Sequence, residues 1–356
     1  MFKENFYSSL KELAGIPGGS GREQRIVKRL VELIKPYSDS VEVDHMGNIY
    51  AELNGNKTGP TVMVSAHSDE IGCMVSAIEE SGFLRMERNG GMLESLLIGR
   101  KVDVNGHFGV VGVKAGHLQT AEERTKIPRI ENLYVDIGAK NREEVSSMGI
   151  SIGDAITYIS DLDRFTNSDL ICGKAIDNRS CCVLIIELFK ALQDREFAGK
   201  MVGLITVQEE VGLRGATVAS SKVNPDVALV LDTIACTDTP DGNHYPLAIG
   251  KGPVLPLLSG GGVRGNVMAP QMKDLIVRFA NELNIPLQLS VMPNGTSDLS
   301  AVHLVGEGIL GGAITFARRY SHSPVEVADL NDFEAGFQLI EAMMRRSHNW
   351  GDLNFI

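Results

Sequence analysis

The chain has 356 residues, of which 43% are hydrophobic and 22% charged, and it carries a formal net charge of -11. This ordinary globular balance argues against disorder, and the negative charge argues against a nucleic-acid or anionic-membrane partner, since either wants a basic patch to displace counterions. The length predicts two domains, or one domain carrying a large insertion. No apolar stretch reaches the roughly 18 residues a membrane span needs, and MFKENFYSSLKELAG lacks the apolar centre of a signal peptide, so a cytoplasmic location is expected. Cys73, Cys172, Cys181, Cys182 and Cys236 lack CxxC spacing and read as reduced packing thiols rather than a disulfide framework or a structural zinc site.

FYSSLKELAG and REQRIVKRLVELIKPY carry apolar residues at helical spacing, predicting two helices broken by the turn GIPGGSG, the second ending where Pro36 intervenes. SVEVDHMGNIYAEL alternates like a hairpin, and TVMVSA reads as a buried strand. From about residue 70 to 165 the texture changes to short β-patterned runs with Gly or Asn-Gly turns, as in GRKVDVNGHFGVVGVKAGH and GDAITYI. An inserted β-rich domain over 70–165 is expected, splitting a catalytic domain made of 1–69 and 166–356. Beyond it the pattern returns to helix and strand in turn: NRSCCVLIIELFKALQD, KMVGLITV, GLRGATVASSK and DVALVL, then the helices PQMKDLIVRFANELN and NDFEAGFQLIEAMMRRSHN. Continuous apolar strands between amphipathic helices predict an α/β fold with a sheet covered on both faces.

Five apolar runs end on side chains of metal-ligand type: TVMVSAHSD, GKAIDN, MVGLITVQEEVG, VALVLDT and AITFARRYSHS. They offer His67, Asp69, Asp177, Glu209, Glu210, Asp232 and His322, the inventory of a two-metal hydrolase placed where open α/β sheets bind ligands. Singly, each has an ordinary reading: Asp177 as a helix cap, Asp232 as a turn former, His322 as an exposed loop residue, His67 as a satisfied histidine. The ordinary readings would have to hold independently at the ends of five core segments. Two apart on a continuing strand, His67 and Asp69 would share a side, so that Asp69 could accept the second ring N–H of His67. Glu209 and Glu210 would diverge on an extended segment, one ligating a metal and the other reaching a water as general base. Asp177, Glu210 and Asp232 set three negative charges against the four of two divalent ions, leaving about one positive unit to ionise a water. Oxygen and imidazole ligands without cysteine suit zinc, cobalt or manganese.

Other patterns are weaker. GIPGGSGRE and LSGGGVRGN read as flexible loops, since neither follows a phosphate-loop pattern. NGTSDLSA, with Asp298, is a candidate wall of the site. Arg318 and Arg319 are candidates to meet an acidic substrate side chain, with a plain surface role as the alternative. His107, His117, His244 and His303 have no carboxylate neighbours in sequence and stay unassigned.

AHSDEIG, GKAIDNRSCC, VQEEVGLRGA, LDTIACTDTP and RRYSHSPVE resemble the M42 family of metallo-aminopeptidases, which includes glutamyl aminopeptidases and the tetrahedral (TET) peptidases. The likeness runs in order through nearly the whole chain, GVVGVKAGHLQTAEER and LYVDIGAKNREEV of the insertion included. The resemblance implies a phosphorylase/hydrolase-like three-layer catalytic domain, with an inserted small β-barrel that mediates assembly, commonly into dodecamers. It implies that Asp177 bridges two metals, with His67 and Asp232 completing one position and Glu210 and His322 the other. Glu209 matches the general base and Asp69 the acid supporting the histidine. Ser68, Cys73, Ser180, Cys181 and Ser321 differ from the family's usual forms, which leaves the ligands intact and the substrate preference open. The expected activity is hydrolysis of N-terminal residues from short peptides. A dinuclear deacylase of small metabolites and a non-catalytic assembly protein are the alternatives.

Overall fold

The computed structural model describes residues 1–166, 169–240, 242, 246–260, 265–292 and 294–354. It opens with α1 (Phe2–Ala14) and α2 (Gln24–Ile34), then β1 (Ser40–Val43), β2 (Ile49–Asn54) and β3 (Lys57–His67). The β1–β2 hairpin turns on Asp44, whose carboxylate accepts the N–H groups of Met46, Gly47 and Asn48; Gly47 supplies the positive φ of 108°.

Six strands then close into a barrel: β4 (Gly72–Ile78), β5 (Leu84–Asn89), β6 (Lys101–Val104), β7 (His107–Gly112), β8 (Tyr134–Asp136) and β9 (Ala155–Tyr158), in the order β4-β5-β8-β7-β6-β9. The short helices α3 (Glu94–Leu97) and α4 (Arg142–Ser147) sit in its connections. Alternation fills the barrel with one face of each strand: Cys73 and Val75, Leu84 and Met86, Val102 and Val104 all join one buried cluster.

The chain continues through β10 (Asp163–Arg164), β11 (Leu170–Gly173), α5 (Ile176–Ala191), β12 (Ala198–Thr206), α6 (Arg214–Val223), β13 (Val227–Ala235) and β14 (Val254–Ser259). It ends with β15 (Asn266–Val267), α7 (Pro270–Leu283), β16 (Gln288–Met292), α8 (Leu299–Val302), β17 (Leu310–Arg318), β18 (Glu326–Asp329) and α9 (Leu330–Arg345). Among the described residues the main sheet has nine strands, β1-β2-β12-β3-β13-β17-β14-β15 with β16 beside β14, and β10, β11 and β18 form a small second sheet. Strands β12, β3, β13 and β17 run parallel, so their carboxyl ends share one edge.

Parallel strands covered on both faces must be apolar at every position, and the burial shows why. Val62, Val64 and Ala66 of β3 face a core built with α1, α2, α5, α7 and α9, while Met63 faces the opposite core with α6 and α8. Strand β13 alternates likewise, Leu229 and Leu231 against Ala228 and Val230. Phe6 of α1 stacks on Phe333 of α9 at 4.9 Å, and Phe333 meets Phe316 of β17 at 4.7 Å, each burial contributing roughly 1.5–3 kcal/mol. The sheet's carboxyl edge is thereby held from behind by its largest cluster of side chains. Among the described residues no helix is long and apolar enough to cross a membrane.

Candidate metal centre

The shared carboxyl edge of β3, β12, β13 and β17 is where the acids and histidines gather. β3 ends on His67, paired in register with Thr206 of β12, and Asp232 lies within β13 opposite Thr315 of β17. Glu209 and Glu210 follow β12 by three and four residues, and His322 follows β17 by four. Asp177 comes from the first turn of α5, which is bent: Ala175 is left-handed, Asp177 has φ -76° and ψ 109°, and its peptide to Asn178 is cis.

Two donor sets share one carboxylate, that of Asp177, and a third, His67 with Glu209 and Glu210, overlaps them. His67 Nε2 lies 3.1 Å from Asp177 Oδ1 and 3.7 Å from Asp232 Oδ1. His322 Nε2 lies 3.4 Å from Asp177 Oδ2 and 3.4 Å from Glu210 Oε1. In each set the donor atoms fall within 4.8 Å of one another. Ligands at zinc distances in a tetrahedron stand about 3.3–3.6 Å apart, so both sets fit a divalent ion in donor type and in spacing. Glu209 Oε2 stays on the cavity side, 3.8 Å from His67 Nε2.

The supporting contacts differ from the simple extended picture. β3 stops at His67, so Asp69 reaches the ring from a turn rather than from the same strand face. His67 Nδ1 sits 3.2 Å from the Asp69 carbonyl oxygen and 3.4 Å from its carboxylate. That carboxylate also accepts the Ser20 hydroxyl at 2.6 Å and the N–H groups of Glu209 and Glu210 at 3.0 and 3.2 Å. Glu209 and Glu210 do not continue β12 either: Gln208 has φ 55°, and the Glu209 carbonyl accepts the N–H groups of Gly212 and Leu213 in a turn.

Burial and charge set the protonation of these groups. Burial disfavours the charged His67 ring, but Glu209, Asp177, Asp232 and Asp69 outweigh it and hold its pKa well above the usual value. Burial pushes Glu209 well up, with Asp232, Glu210 and Asp298 adding to it, and pushes Glu210 up to about 8, with Asp177 adding. Asp177 runs the other way: burial opposes ionisation, yet Arg318, His322 and His67 hold it well below the usual carboxylate range. Buried acids at this density call for cationic company, which two divalent ions would provide.

An open cavity of about 360 Å³ lies over the site. Ile234, Ala235, Pro256 and Met292 make its apolar wall, and Ser259 and the stretch from Asn294 to Ser297 its polar wall. Asp298 stands behind that wall, accepting the Thr206 hydroxyl. Gly91 borders the cavity from the barrel side, and a Cβ there would meet His322 Nδ1 at 2.5 Å.

Several residues escaped the sequence reading. Glu326, 2% exposed, accepts the N–H groups of both Asp177 and His322, at 3.1 and 2.9 Å. Its only local signal is its place four residues after His322. Ser20, in a segment expected to be a flexible loop, holds Asp69. Arg318 is buried on Asp177, and Arg319 forms a bidentate pair with Asp238 at 2.9 and 2.7 Å, so neither is a free surface arginine. His107 meets the Met148 carbonyl and His303 the Leu299 carbonyl, away from the centre. The middle of the LSGGGVRGN loop, residues 261–264, and His244 lie outside the described residues.

The family profile described as M42 glutamyl aminopeptidase matches residues 47–339. The lysyl aminopeptidase of Pyrococcus furiosus is 32% identical, covering 94% of this chain and 95% of its own. The glutamyl aminopeptidase of Lactococcus lactis subsp. cremoris is 31% identical, covering 92% of each. Among solved structures, the TET1 peptidase of Pyrococcus horikoshii, described as able to assemble into a tetrahedron or a large octahedral shell, superposes with a TM-score of 0.85. It is 31% identical, over 95% of this chain and 99% of that one.

Proposed function

The chain belongs to the M42 peptidase family, and on that premise we propose that it is a two-metal aminopeptidase that removes N-terminal residues from short peptides. The observation that carries this reading is the division of Asp177, with Oδ1 turned to His67 and Oδ2 to His322. His67, Asp177 and Asp232 would hold one divalent ion, and Asp177, Glu210 and His322 the other. When bound, zinc, cobalt or manganese ions would polarise the scissile carbonyl and lower the pKa of water in the cavity.

The remaining steps belong to side chains. Glu209, buried and aimed into the cavity, takes a proton from the attacking water and returns it to the leaving amine. Asp69 fixes the ring of His67 through Nδ1 and, through two backbone N–H groups, sets where Glu209 and Glu210 start. The substrate's free α-amine would bind near the two ion positions and their carboxylates.

A preference for acidic N-terminal residues would require a cation free to face the substrate. Among the described residues the cavity wall has only Arg318 besides the histidines, and its guanidinium is engaged by Asp177, Glu326, Thr233 and Ser321. The wall of Ile234, Ala235, Pro256 and Met292 suits an uncharged side chain, and relatives named for lysyl and glutamyl substrates are about equally similar to this chain. Homo-oligomeric assembly, with a dodecamer as the expected form, belongs to the same proposal. Val267 and Val291 on the outer strands of the sheet, at 75% and 58% exposure, leave apolar surface for a second copy. A cytoplasmic setting fits five cysteines that are all unpaired.

The test is a pair of peptides differing only in N-terminal acetylation, assayed with cobalt-, zinc- or manganese-loaded protein. Loss of the first residue from the free peptide and protection of the acetylated one is the expected result. Equal cleavage of both would replace the aminopeptidase by a general amidase.

A further inference from the structure

β17 ends on an arginine at a place crowded with prospective metal donors. Arg318 is 3% exposed and lies in register with Ala235 of β13, which brings its guanidinium back over Thr233. Nε donates to Thr233 Oγ1 at 2.7 Å and lies 3.4 Å from Glu326 Oε1. One terminal nitrogen donates to Ser321 Oγ and the other to Asp177 Oδ2. The group is held on every side.

The two donor sets are therefore not equivalent. Asp177 Oδ2, which carries the arginine, is the oxygen that faces His322, whereas Oδ1 faces His67. A guanidinium on a ligand oxygen draws electron density from it and adds a positive charge beside any ion bound there; both effects weaken cation binding. Burial keeps salt from screening the charge, and four partners keep the side chain from swinging away. Glu326 fixes the arginine while also accepting the N–H groups of Asp177 and His322, so arginine and ligands are one rigid cluster.

We propose that Arg318 is a built-in counter-cation that makes the two ion positions unequal. The His67–Asp177–Asp232 position holds its ion tightly; the Asp177–Glu210–His322 position holds its ion loosely, and its occupancy follows the free metal concentration. The inference rests on the two-metal reading above and adds to it a sensitivity that the ligands alone do not provide.

Equilibrium dialysis of the metal-free full-length protein against graded cobalt(II) chloride, counting cobalt per chain, tests it directly. Arg318→Gln keeps hydrogen-bonding capacity toward Ser321 and Glu326 but removes the charge. Its second cobalt is expected at about tenfold lower free concentration than in the parent, or lower still, with the first within about threefold. Arg318→Lys keeps the charge and is expected to leave the second midpoint within about threefold of the parent. Arg318→Met takes the place of the glutamine variant if circular dichroism shows that variant unfolded. A second midpoint that is unchanged or raised in the uncharged variant overturns the proposal. If neither parent nor variant takes a second cobalt at any concentration, the two-metal reading falls, and this inference with it.

Discussion

Asp177 Oδ1 stands 3.1 Å from His67 Nε2 although 110 positions of sequence separate the two residues. The first turn of α5 is pinned to the sheet edge on both sides of this contact: Asn178 Nδ2 donates to the Leu231 carbonyl at 2.9 Å, and Cys182 Sγ to the His67 carbonyl at 3.1 Å. The distance is thus set by packing of α5 against β3 and β13 rather than by the two side chains. Because Asp177 faces both donor sets, Asp177→Ala is expected to retain neither ion after dialysis, while His322→Ala retains one. Metal analysis per chain decides it, and two ions kept by Asp177→Ala would end the bridging assignment.

Asp69 organises three segments through one buried carboxylate, accepting Ser20, Glu209 and Glu210. Asp69→Asn turns one acceptor oxygen into an NH2 group facing donors, which costs about 1–3 kcal/mol of stability. A fall in kcat of more than about tenfold should accompany it, because both glutamates and His67 lose their reference point. Ser20→Ala removes one neutral donor and should cost about 1 kcal/mol. Thermal unfolding and steady-state kinetics on the two variants rank them; equal effects would contradict this account of the turn.

Glu70 and Lys174 form a buried pair at 2.7 Å, both 3% exposed, joining the segment after His67 to the segment before Asp177. Removing one partner leaves a buried charge, so Lys174→Met should cost about 3–5 kcal/mol. The double variant Glu70→Gln/Lys174→Met should recover part of that loss, limited by buried Arg179, which lies 3.7 Å from Glu70 and would lose that carboxylate. A double-mutant cycle by chemical denaturation measures the coupling, and additive losses would contradict it.

Asp44 gives a pH dependence far from the centre. Partial burial pushes its carboxyl up, but Asn48, Tyr50 and Gly47 donate to it and hold it below its ordinary 3.8. A folded-state value below the unfolded one stabilises the fold above about pH 3.8, and that stability is lost as the pH falls through the lowered value. Asp44→Asn should therefore cost about 1–3 kcal/mol at pH 7, with the gap to the parent closing below about pH 4. A gap independent of pH would mean that the charge plays no part.

The fold class was legible because β3 and β13 are buried on both faces, and Val62, Met63 and Val64 show that as an unbroken apolar run. A β-rich insertion was legible from its short alternating strands; that it closes into a barrel came from family resemblance, and the six strands do close. What stayed hidden is long-range. Nothing near Ser20 announces that it meets Asp69, and the turn at Gln208 has no glycine to mark it. Arg318 reads as a surface residue until Asp177 and Glu326 are placed around it, since a buried charge is recognisable only by its partners. Glu326 works through backbone N–H groups, which leave no trace in residue type. Which acid goes with which histidine came from family resemblance, and the two sides of Asp177 give that pairing a geometry.

The central claim is that Glu209 moves the proton while its neighbours hold the ions, and Glu209→Gln measures it most directly. The variant keeps size and shape but cannot accept a proton. Turnover of a free-amine peptide should fall at least about 10²–10⁴-fold, with the number of bound ions per chain equal to the parent's. Turnover within about tenfold of the parent, at unchanged metal content, would contradict the account.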